Sequence, residues 1–405
     1  MTKRSSDRPW QLPDGIDELL PDAAAHVEGL RRLLLDCAAS WGYQLVIPPM
    51  VEFTDSLLVG VGEDLDLLTF KMPDQLTGRM LGVRADMTPQ VARIDAHSLA
   101  GETLNRLCYV GSTLHTRARS LAASRSPLQL GAELFGDASL AGDVEVMDLM
   151  LSMLEAVGIE VGSELTLDLG HGDVFRQVLA ASGAEAQGLD AAVFDALQRK
   201  SRPDLEPLLQ SLPEASAAGL RALLEMHGDL SVLDRAEAQF AQSVPAAAGA
   251  LGDLRKLAQT MQARHPSLSI YIDLAELRGY HYHTGVVFAV YAQSLGEALA
   301  RGGRYDNVGE VYGRARPATG FATDLRLLAT QLLPGDGTAA VRKAISAPDA
   351  YDESLDVCIR RLRNDGETVI VALGGRMDPR CDWELVSIDG QWITQRRSLA
   401  PEGKI

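Results

Sequence analysis

The sequence predicts an α+β fold in which an antiparallel sheet is flanked by helices, with a helical insertion and a small C-terminal α/β region. Short runs of apolar, β-branched and aromatic residues, typical of buried strands, alternate with longer segments whose apolar residues repeat at helical spacing. Between two strand candidates, residues from about 184 to 266 are dominated by Ala, Leu and Gln and contain scattered glycines. This composition predicts the helical insertion.

The first elements are a helix and a short strand. A helix begins near Pro21, its apolar residues recur at helical spacing as far as Trp41, and Gly42 is placed to end it. Residues 43–47 then form a strand candidate that is ended by two prolines. We expect this early helix and strand to form core or a subunit interface.

Polar residues follow at the ends of the next strand candidates. Asp86 and Thr88 lie between a strand and a helix, where an aspartate either caps the helix, the commoner role, or binds a cationic ligand group. A strand over 106–111 leads through a polar loop to a returning strand, on which alternation places Gln129 and Glu133 on one face. These two side chains are therefore either ligand contacts or part of a solvated edge.

The centre of the chain continues the alternation of helices and strands. A helix from Asp143 to about Gly158, a strand over 164–169 and a helix over 172–182 precede the insertion, and a strand over 268–274 follows it. The two strands that flank the insertion are expected to lie in the main sheet.

Two glycine-containing segments come later. Gly302 and Gly303 permit a tight bend shortly before Tyr305. Residues 320–326 are expected to begin the last helix of the large domain, where the helix start either holds an anion near Arg326 or has no ligand role.

The most distinctive stretch covers residues 277–285, which place an arginine, two tyrosines and two histidines at the entrance of an apolar strand over 286–291. Polar rings and a charge at the end of a core strand indicate a lined pocket. The alternative is an edge strand whose solvent-exposed end carries aromatic residues. His281 and His283 could share a metal from one strand, but a third ligand is not near them in sequence, so we expect no metal.

The domain organisation follows from these elements. Residues 1–333 form the core domain, and the Gly-, Ala- and Pro-rich segment 334–348 is expected to be a linker. Residues 349–405 form the small C-terminal region, with a helix, a strand and a hairpin whose turn is Asp389-Gly390.

Composition limits the classes of function. The net charge of −17 and the pI near 4.9 oppose a broad grip on nucleic acid, so no nucleic-acid partner is expected. The N-terminus lacks a signal-peptide pattern, and an apolar stretch long enough to span a bilayer is absent, so no membrane partner is expected. Four widely spaced cysteines indicate neither disulfides nor zinc. We expect a cytoplasmic protein.

A nucleophile elbow, a P-loop and a dinucleotide fingerprint are absent from the sequence, so we expect no cofactor and no catalytic residue. What remains is a group of polar residues at strand ends. Carboxylates suit an α-amino group, an arginine suits a carboxylate, and tyrosine and histidine suit a flat polar ring, so the group describes an amino-acid pocket. Its members are Asp86, Thr88, Gln129, Glu133, Arg278, Tyr282, His283 and Tyr305.

Three motifs resemble those of histidyl-tRNA synthetase, a class II aminoacyl-tRNA synthetase. Residues 83–88 resemble its LRPDxT segment, residues 278–285 its RGLDYYTG segment, and residues 302–306 match its GGRYD segment, in the same order. The resemblance covers about residues 13–333 and implies a class II aminoacyl-tRNA synthetase-like antiparallel sheet. It also implies that the eight pocket residues lie where the synthetase contacts histidine.

Departures from the synthetase motifs concern the nucleotide. In the synthetase, arginines of the loop that corresponds to residues 114–129 hold the ATP phosphates, whereas this chain has His115 and Ala123 at those positions. The later GxGxxR segment keeps only Gly320 and Arg326. Preorganised cations stabilise a phosphate-rich transition state by several kcal/mol, so we expect adenylation to fail.

A synthetase core with a degraded ATP site and a short α/β tail is similar to the regulatory subunits of ATP phosphoribosyltransferase. The resemblance implies a non-catalytic protein that forms a dimer within a hetero-octamer with a short-form catalytic subunit, is required for the activity of the first step of histidine biosynthesis, and makes it sensitive to histidine as a possible effector. The alternatives are a divergent histidyl-tRNA synthetase or other amino-acid-activating paralogue, and a free-standing histidine sensor. His281 and His283 replace an Asp and a Tyr of the synthetase motif, which leaves histidine affinity open.

Overall fold

The computed structural model describes residues 11–59, 63–99, 101, 104–118, 124–162, 164–276, 283–293, 295–329 and 344–397. The described residues fall into two compact units, one within 1–334 and one within 335–405. Each unit has its own core and is described separately.

The first unit combines strands and helices throughout its length. Its strands are β1 (Gln44–Leu45), β2 (Val51–Phe53), β3 (Phe70–Pro73), β4 (Met80–Val83), β5 (Asn105–Ser112), β6 (Leu128–Phe135), β7 (Leu165–His171), β8 (His227–Gly228), β9 (Ser269–Asp273), β10 (Val286–Ala292), β11 (Ala298–Arg304) and β12 (Ala318–Asp324). Its helices are α1 (Pro21–Ser40), α2 (Thr54–Leu57), α3 (Glu63–Leu68), α4 (Thr88–Arg93), α5 (Leu140–Ala156), α6 (Gly172–Ser182), α7 (Asp190–Gln198), α8 (Arg202–Leu209), α9 (Glu214–Glu225), α10 (Ser231–Phe240), α11 (Ala248–Arg264) and α12 (Leu325–Leu327).

The main sheet runs in the order β1-β5-β6-β12-β11-β10-β7-β9-β8 over the described residues. From β5 to β7 every neighbouring pair is antiparallel, whereas β1 with β5 and β7 with β9 are parallel. The predicted α+β class is therefore confirmed, with parallel pairs added towards both edges. The part of the chain between β1 and β5 forms a smaller antiparallel sheet in the order β2-β4-β3.

Helix α5 is the centre of the first core. Its residues are buried on nearly every side, including Val146, Leu149 and Leu151, each with no measurable exposure. It packs against α1, α11 and strands β6, β11 and β12. A helix enclosed in this way is mostly apolar, and its two buried carboxylates, Asp143 and Asp148, are paired with Arg304 and Arg264.

The helical insertion enters and leaves the sheet at neighbouring strands. Helices α6 to α11 lie between β7 and β9 in the chain, with α7 to α11 inside the predicted insertion, and β7 and β9 lie side by side in parallel. The insertion is not entirely helical, because His227 and Gly228 form β8 and pair with β9. The prediction of an all-helical segment is corrected at these two residues.

Two glycine predictions are wrong. Gly302 and Gly303 lie inside β11, and Gly320 lies inside β12 rather than at a helix start. The reason is close packing: a Cβ atom on Gly302 would lie 2.2 Å from the carbonyl oxygen of Gly320 and 2.5 Å from the Phe288 ring. Arg326 follows β12 in the short helix α12, whose first turn is capped by the Asp324 carboxylate.

The second unit is a small α/β sheet with one helix on it. Strands β13 (Ala344–Pro348), β14 (Thr368–Ala372), β15 (Trp383–Ile388) and β16 (Gln391–Arg396) are ordered β14-β13-β15-β16, and helix α13 spans Glu353–Asn364. Residues 344–348 form β13, an inner strand of this sheet, so their assignment to the linker is corrected. The predicted hairpin is confirmed, with positive φ of 48° at Asp389 and 77° at Gly390 in its two-residue turn.

Among the described residues, the helices do not include one that combines the length and the apolar character needed to cross a bilayer.

The approach of β12 to β6 gives a stability prediction. A Cβ on Gly320 would lie 1.5 Å from Oε2 of Glu133 and 2.8 Å from the carbonyl oxygen of Ala132. We expect Gly320→Ala to lower the free energy of unfolding in urea by about 1–3 kcal/mol or more. The matched control is Gly252→Ala, inside α11 with open space around its Cβ position, which should raise stability by about 0.5–1 kcal/mol. Equal stability of the two variants would contradict the close approach.

Candidate functional site

The candidate site is centred on Glu133, a carboxylate buried in the main sheet. Glu133 lies on β6 and is 1% exposed. Its Oε1 accepts a hydrogen bond of 3.0 Å from the hydroxyl of Tyr109 on β5, and its Oε2 accepts one from the hydroxyl of Tyr305, just after β11. Two tyrosines from different strands therefore hold one carboxylate between them.

The same network continues to Asp86. The hydroxyls of Tyr109 and Thr88 are 3.0 Å apart, and since Tyr109 donates to Glu133, Thr88 is placed to donate to Tyr109. The backbone N–H of Thr88 and the side-chain amide of Gln129 both donate to Asp86 Oδ1, at 3.0 and 2.8 Å. Asp86 therefore holds the first residue of α4 and also joins the polar network.

Glycines on adjacent strands make room for these side chains. A Cβ on Gly131 would lie 2.3 Å from the Tyr109 hydroxyl, and one on Gly320 would overlap the Glu133 carboxylate. Gly320 pairs directly with Glu133, and Tyr109 pairs with Gly131. Opposed residues project to the same face of an antiparallel pair, so the glycines leave space on the face where the polar groups lie.

His283 lies on the same face. Gly303 pairs with Gly320, and a Cβ on Gly303 would lie 2.7 Å from Cδ2 of the His283 ring. The backbone carbonyl of His283 accepts a hydrogen bond of 3.1 Å from Arg176 on α6. This contact fixes the backbone at the entrance to β10.

The structure thus brings Asp86, Thr88, Gln129, Glu133 and Tyr305 into one hydrogen-bonded network and places His283 one strand further along the same face. Arg278 and Tyr282, together with His281, lie outside the described residues, so their predicted roles stay predictions.

Tyr109 is the member of the network that sequence reasoning missed. It sits in a run that has the composition of a core strand, and it is fully buried. The available signal was Gly131, because a glycine two residues before Glu133 on the paired strand leaves space for a large neighbour.

Burial dominates the electrostatics of Glu133. Burial raises the pKa of this carboxyl to about 8, although hydrogen bonds from Tyr305 and Tyr109 oppose the rise and the charge of Asp86 adds to it. Burial and the charge of Glu133 raise the pKa of Tyr109 well above its usual value. The tyrosine therefore remains a neutral donor, and the ionisation of Glu133 falls near neutral pH.

The residues predicted at phosphate-binding positions are engaged within the chain. His115 is buried, and its Nε2 is 2.9 Å from the carbonyl oxygen of Ala85. Arg326 pairs with the carboxylate of Asp17 and donates to the carbonyl oxygen of Ser126 at 3.3 Å. Ala123 lies outside the described residues.

Residues 14–17 also contact Ser124 and Arg125, which lie between β5 and β6. The backbone N–H of Arg125 donates to the carbonyl oxygen of Gly15 at 2.7 Å, and its guanidinium donates to the carbonyl oxygens of Asp14 at 3.0 Å and His115 at 3.1 Å. Ser124 donates to the Asp17 carboxylate at 3.2 Å.

Comparison with known proteins gives matches over both units. Residues 15–328 match the family model of histidyl-tRNA synthetase, and residues 342–395 match the model of the ATP phosphoribosyltransferase subunit HisZ C-terminal domain. ATP phosphoribosyltransferase regulatory subunits from Azotobacter vinelandii and Ectopseudomonas mendocina are each 49% identical over 390 residues, covering 95% of this chain and 97% of theirs. A crystal structure of an ATP phosphoribosyltransferase regulatory subunit/histidyl-tRNA synthetase from Bacillus halodurans C is similar, with a TM-score of 0.76 and 27% identity over 92% of this chain and 94% of that chain.

The raised pKa of Glu133 gives a pH prediction. In the folded protein this carboxyl keeps its proton up to a pH of about 8, whereas the unfolded group has a pKa of 4.5. The contribution of the Glu133 carboxyl to folding stability is therefore lost as the pH rises from 4.5 to about 8. We expect Glu133→Gln to gain stability relative to wild type by on the order of 1 kcal/mol per pH unit in that window. Urea unfolding of both proteins at pH 5.5, 6.5 and 7.5 measures this difference. A difference that stays constant with pH would show that Glu133 ionises normally.

Proposed function

The chain belongs to the family of ATP phosphoribosyltransferase regulatory subunits, and we propose that it performs no chemistry itself. In this proposal it binds a separate short-form catalytic subunit in the cytoplasm, makes the first step of histidine biosynthesis active, and renders that step sensitive to histidine. The observation that carries the proposal is a contrast between two groups of residues. A continuous polar network is suited to an amino acid, whereas a cation at a position expected to bind phosphate, Arg326, is paired with Asp17 of the same chain.

Histidine is the proposed effector, bound by the eight predicted residues. The buried Glu133 carboxyl group, held by two tyrosines, is a fixed hydrogen-bonding partner for the imidazole ring, and Asp86 with Gln129 suits the α-amino group. Arg278 is proposed for the α-carboxylate. A site with fixed polar groups rejects an analogue that leaves them unpaired, which favours one amino acid over others of similar size.

Loss of ATP activation is the second part of the proposal. Adenylation needs cations aimed at phosphate oxygens, and their strength depends on being free and preorganised. His115 is directed to a backbone carbonyl, and the Arg326 guanidinium is engaged by the carboxylate and carbonyl of Asp17. A nucleotide would have to displace a carboxylate that belongs to the same chain.

Self-association is proposed through α1 and β1, within a hetero-octamer. Strand β1 ends the main sheet and its only described neighbour is β5. The adjoining side chains of Leu45, Ile47 and Met50 are 47%, 81% and 48% exposed. An exposed sheet edge with apolar side chains favours pairing with a second copy.

Two alternative functions make different predictions. A divergent synthetase or other amino-acid-activating enzyme would exchange pyrophosphate with ATP when histidine is present. A free-standing histidine sensor would bind histidine but would not co-elute with a catalytic subunit from extract of its own cell.

The regulatory role can be tested by reconstitution. Mixing the chain with a short-form catalytic subunit should give a complex on size-exclusion chromatography and increase the rate of phosphoribosyl transfer. The chain alone should not support histidine-dependent pyrophosphate exchange. Failure to form a complex and to increase the rate would end the proposal, and exchange by the isolated chain would favour the synthetase alternative.

Histidine binding can be tested with a matched pair of tyrosine variants. Tyr305→Phe removes a donor to buried Glu133, and we expect it to weaken histidine binding about 10-fold in calorimetry. Tyr312→Phe removes a hydroxyl that donates instead to the carbonyl oxygen of Ser56, and it should leave the affinity unchanged. Glu133→Ala should abolish measurable binding. Equal affinity of wild type and Glu133→Ala would remove Glu133 from the proposed site.

A further inference from the structure

The second unit presents exposed apolar side chains at the edge of its sheet where the parallel strands β13 and β14 end. Tyr351, in the segment between β13 and α13, is fully exposed, and Leu373 and Met377, which follow β14, are 70% and 45% exposed. Large apolar side chains exposed together mark an interaction surface more often than isolated ones do. We call Tyr351, Leu373 and Met377 the edge patch.

The topology places these residues at the same edge. Strands β13 and β14 are parallel, with Pro348 opposite Ala372, so the segments that follow both strands leave the sheet side by side. The Asp349 carboxylate accepts a hydrogen bond of 2.8 Å from the backbone N–H of Gly374, which ties the two segments together. The carboxyl ends of parallel strands are where open α/β sheets bind their ligands.

The surroundings of the edge patch carry more acidic than basic side chains, although Arg376 lies between Leu373 and Met377 and Arg380 pairs with Asp378. Helix α13 begins at this edge, and its first turns carry Asp352, Glu353 and Asp356 in addition to Asp349 before it. Asp352 caps the helix by accepting from the backbone N–H groups of Ser354 and Leu355 at 2.8 and 3.1 Å, whereas Glu353 and Asp356 are exposed. The arginines of α13 lie towards its other end.

We propose that the edge patch, bordered by the carboxylates at the start of α13, is the docking surface for the catalytic subunit, an inference that rests on the proposed function. The partner surface that fits is an apolar depression bordered by lysine and arginine side chains, because charge complementarity guides association and opposes wrong partners. The unit that carries the patch is also the one that matches the C-terminal domain of the transferase subunit rather than the synthetase.

The contributions of the two kinds of residue should differ. A few residues at the centre of an interface, tyrosine prominent among them, carry most of the binding energy, and their loss acts mainly on the dissociation rate. Exposed rim charges act mainly on the association rate and make it dependent on salt. These expectations separate a docking surface from residues that merely support the fold of the second unit.

The test uses the full chain and an immobilised short-form catalytic subunit in a biosensor experiment. The double variant Tyr351→Ala, Leu373→Asp should weaken binding at least about 30-fold with an unchanged melting temperature, since both side chains are exposed. The matched control is Leu76→Asp, at a 94% exposed leucine on the turn between β3 and β4 of the first unit, which should bind like wild type. Glu353→Lys with Asp356→Lys should slow association and reduce its dependence on salt.

The outcomes distinguish this inference from the proposed function. If the unaltered chain does not bind the catalytic subunit, both fail together. If it binds but the double variant binds equally well, or if Leu76→Asp is the variant that loses binding, only the docking surface is overturned. A change in the oligomeric state of the double variant without the catalytic subunit would assign the edge patch to self-association and would also overturn the inference.

Discussion

The structure of the first unit depends on one buried carboxylate. Glu133 sits inside the main sheet, and burying an ionisable group without partners would cost several kcal/mol. Its two oxygens accept hydrogen bonds from Tyr109 and Tyr305. Tyr109 lies on β5, next to β6, and Tyr305 directly follows β11, which is next to β12. The sheet order that brings these elements together is therefore also the condition under which Glu133 can be buried at all.

This constraint explains local features that otherwise look unrelated. Gly131, Gly303 and Gly320 each lie in the interior of a strand, where glycine lowers stability because it loses more conformational freedom than other residues. Each one faces a side chain or ring of the polar face that a Cβ would overlap. These glycines therefore lower the intrinsic stability of their strands but leave the space that the side chains of the polar network occupy.

Sequence reasoning predicted the fold class and placed Asp86, Thr88, Gln129, Glu133 and Tyr305 in one polar group, and the structure joins these five residues by hydrogen bonds. It misplaced Gly302, Gly303 and Gly320, because a glycine in sequence signals a turn and a close approach between strands equally well. It missed Tyr109 for a related reason. A tyrosine in an apolar strand has the pattern of a core residue; the pairing with Gly131 leaves space for it, and the hydrogen bond to Glu133 shows its polar partner.

Two parts of the first unit differ in how their charged groups are held, which bears on how regulation would work on the proposed function. The polar network ends on a carboxyl whose pKa of about 8 lies near neutral pH, whereas Arg326 is ion-paired with the carboxylate of Asp17. A ligand shifts an assembly only by its difference in affinity for two states. On the proposed function, histidine bound at the polar network is the ligand that supplies such a difference, so we expect coupling to the catalytic subunit to begin at the polar face of the main sheet.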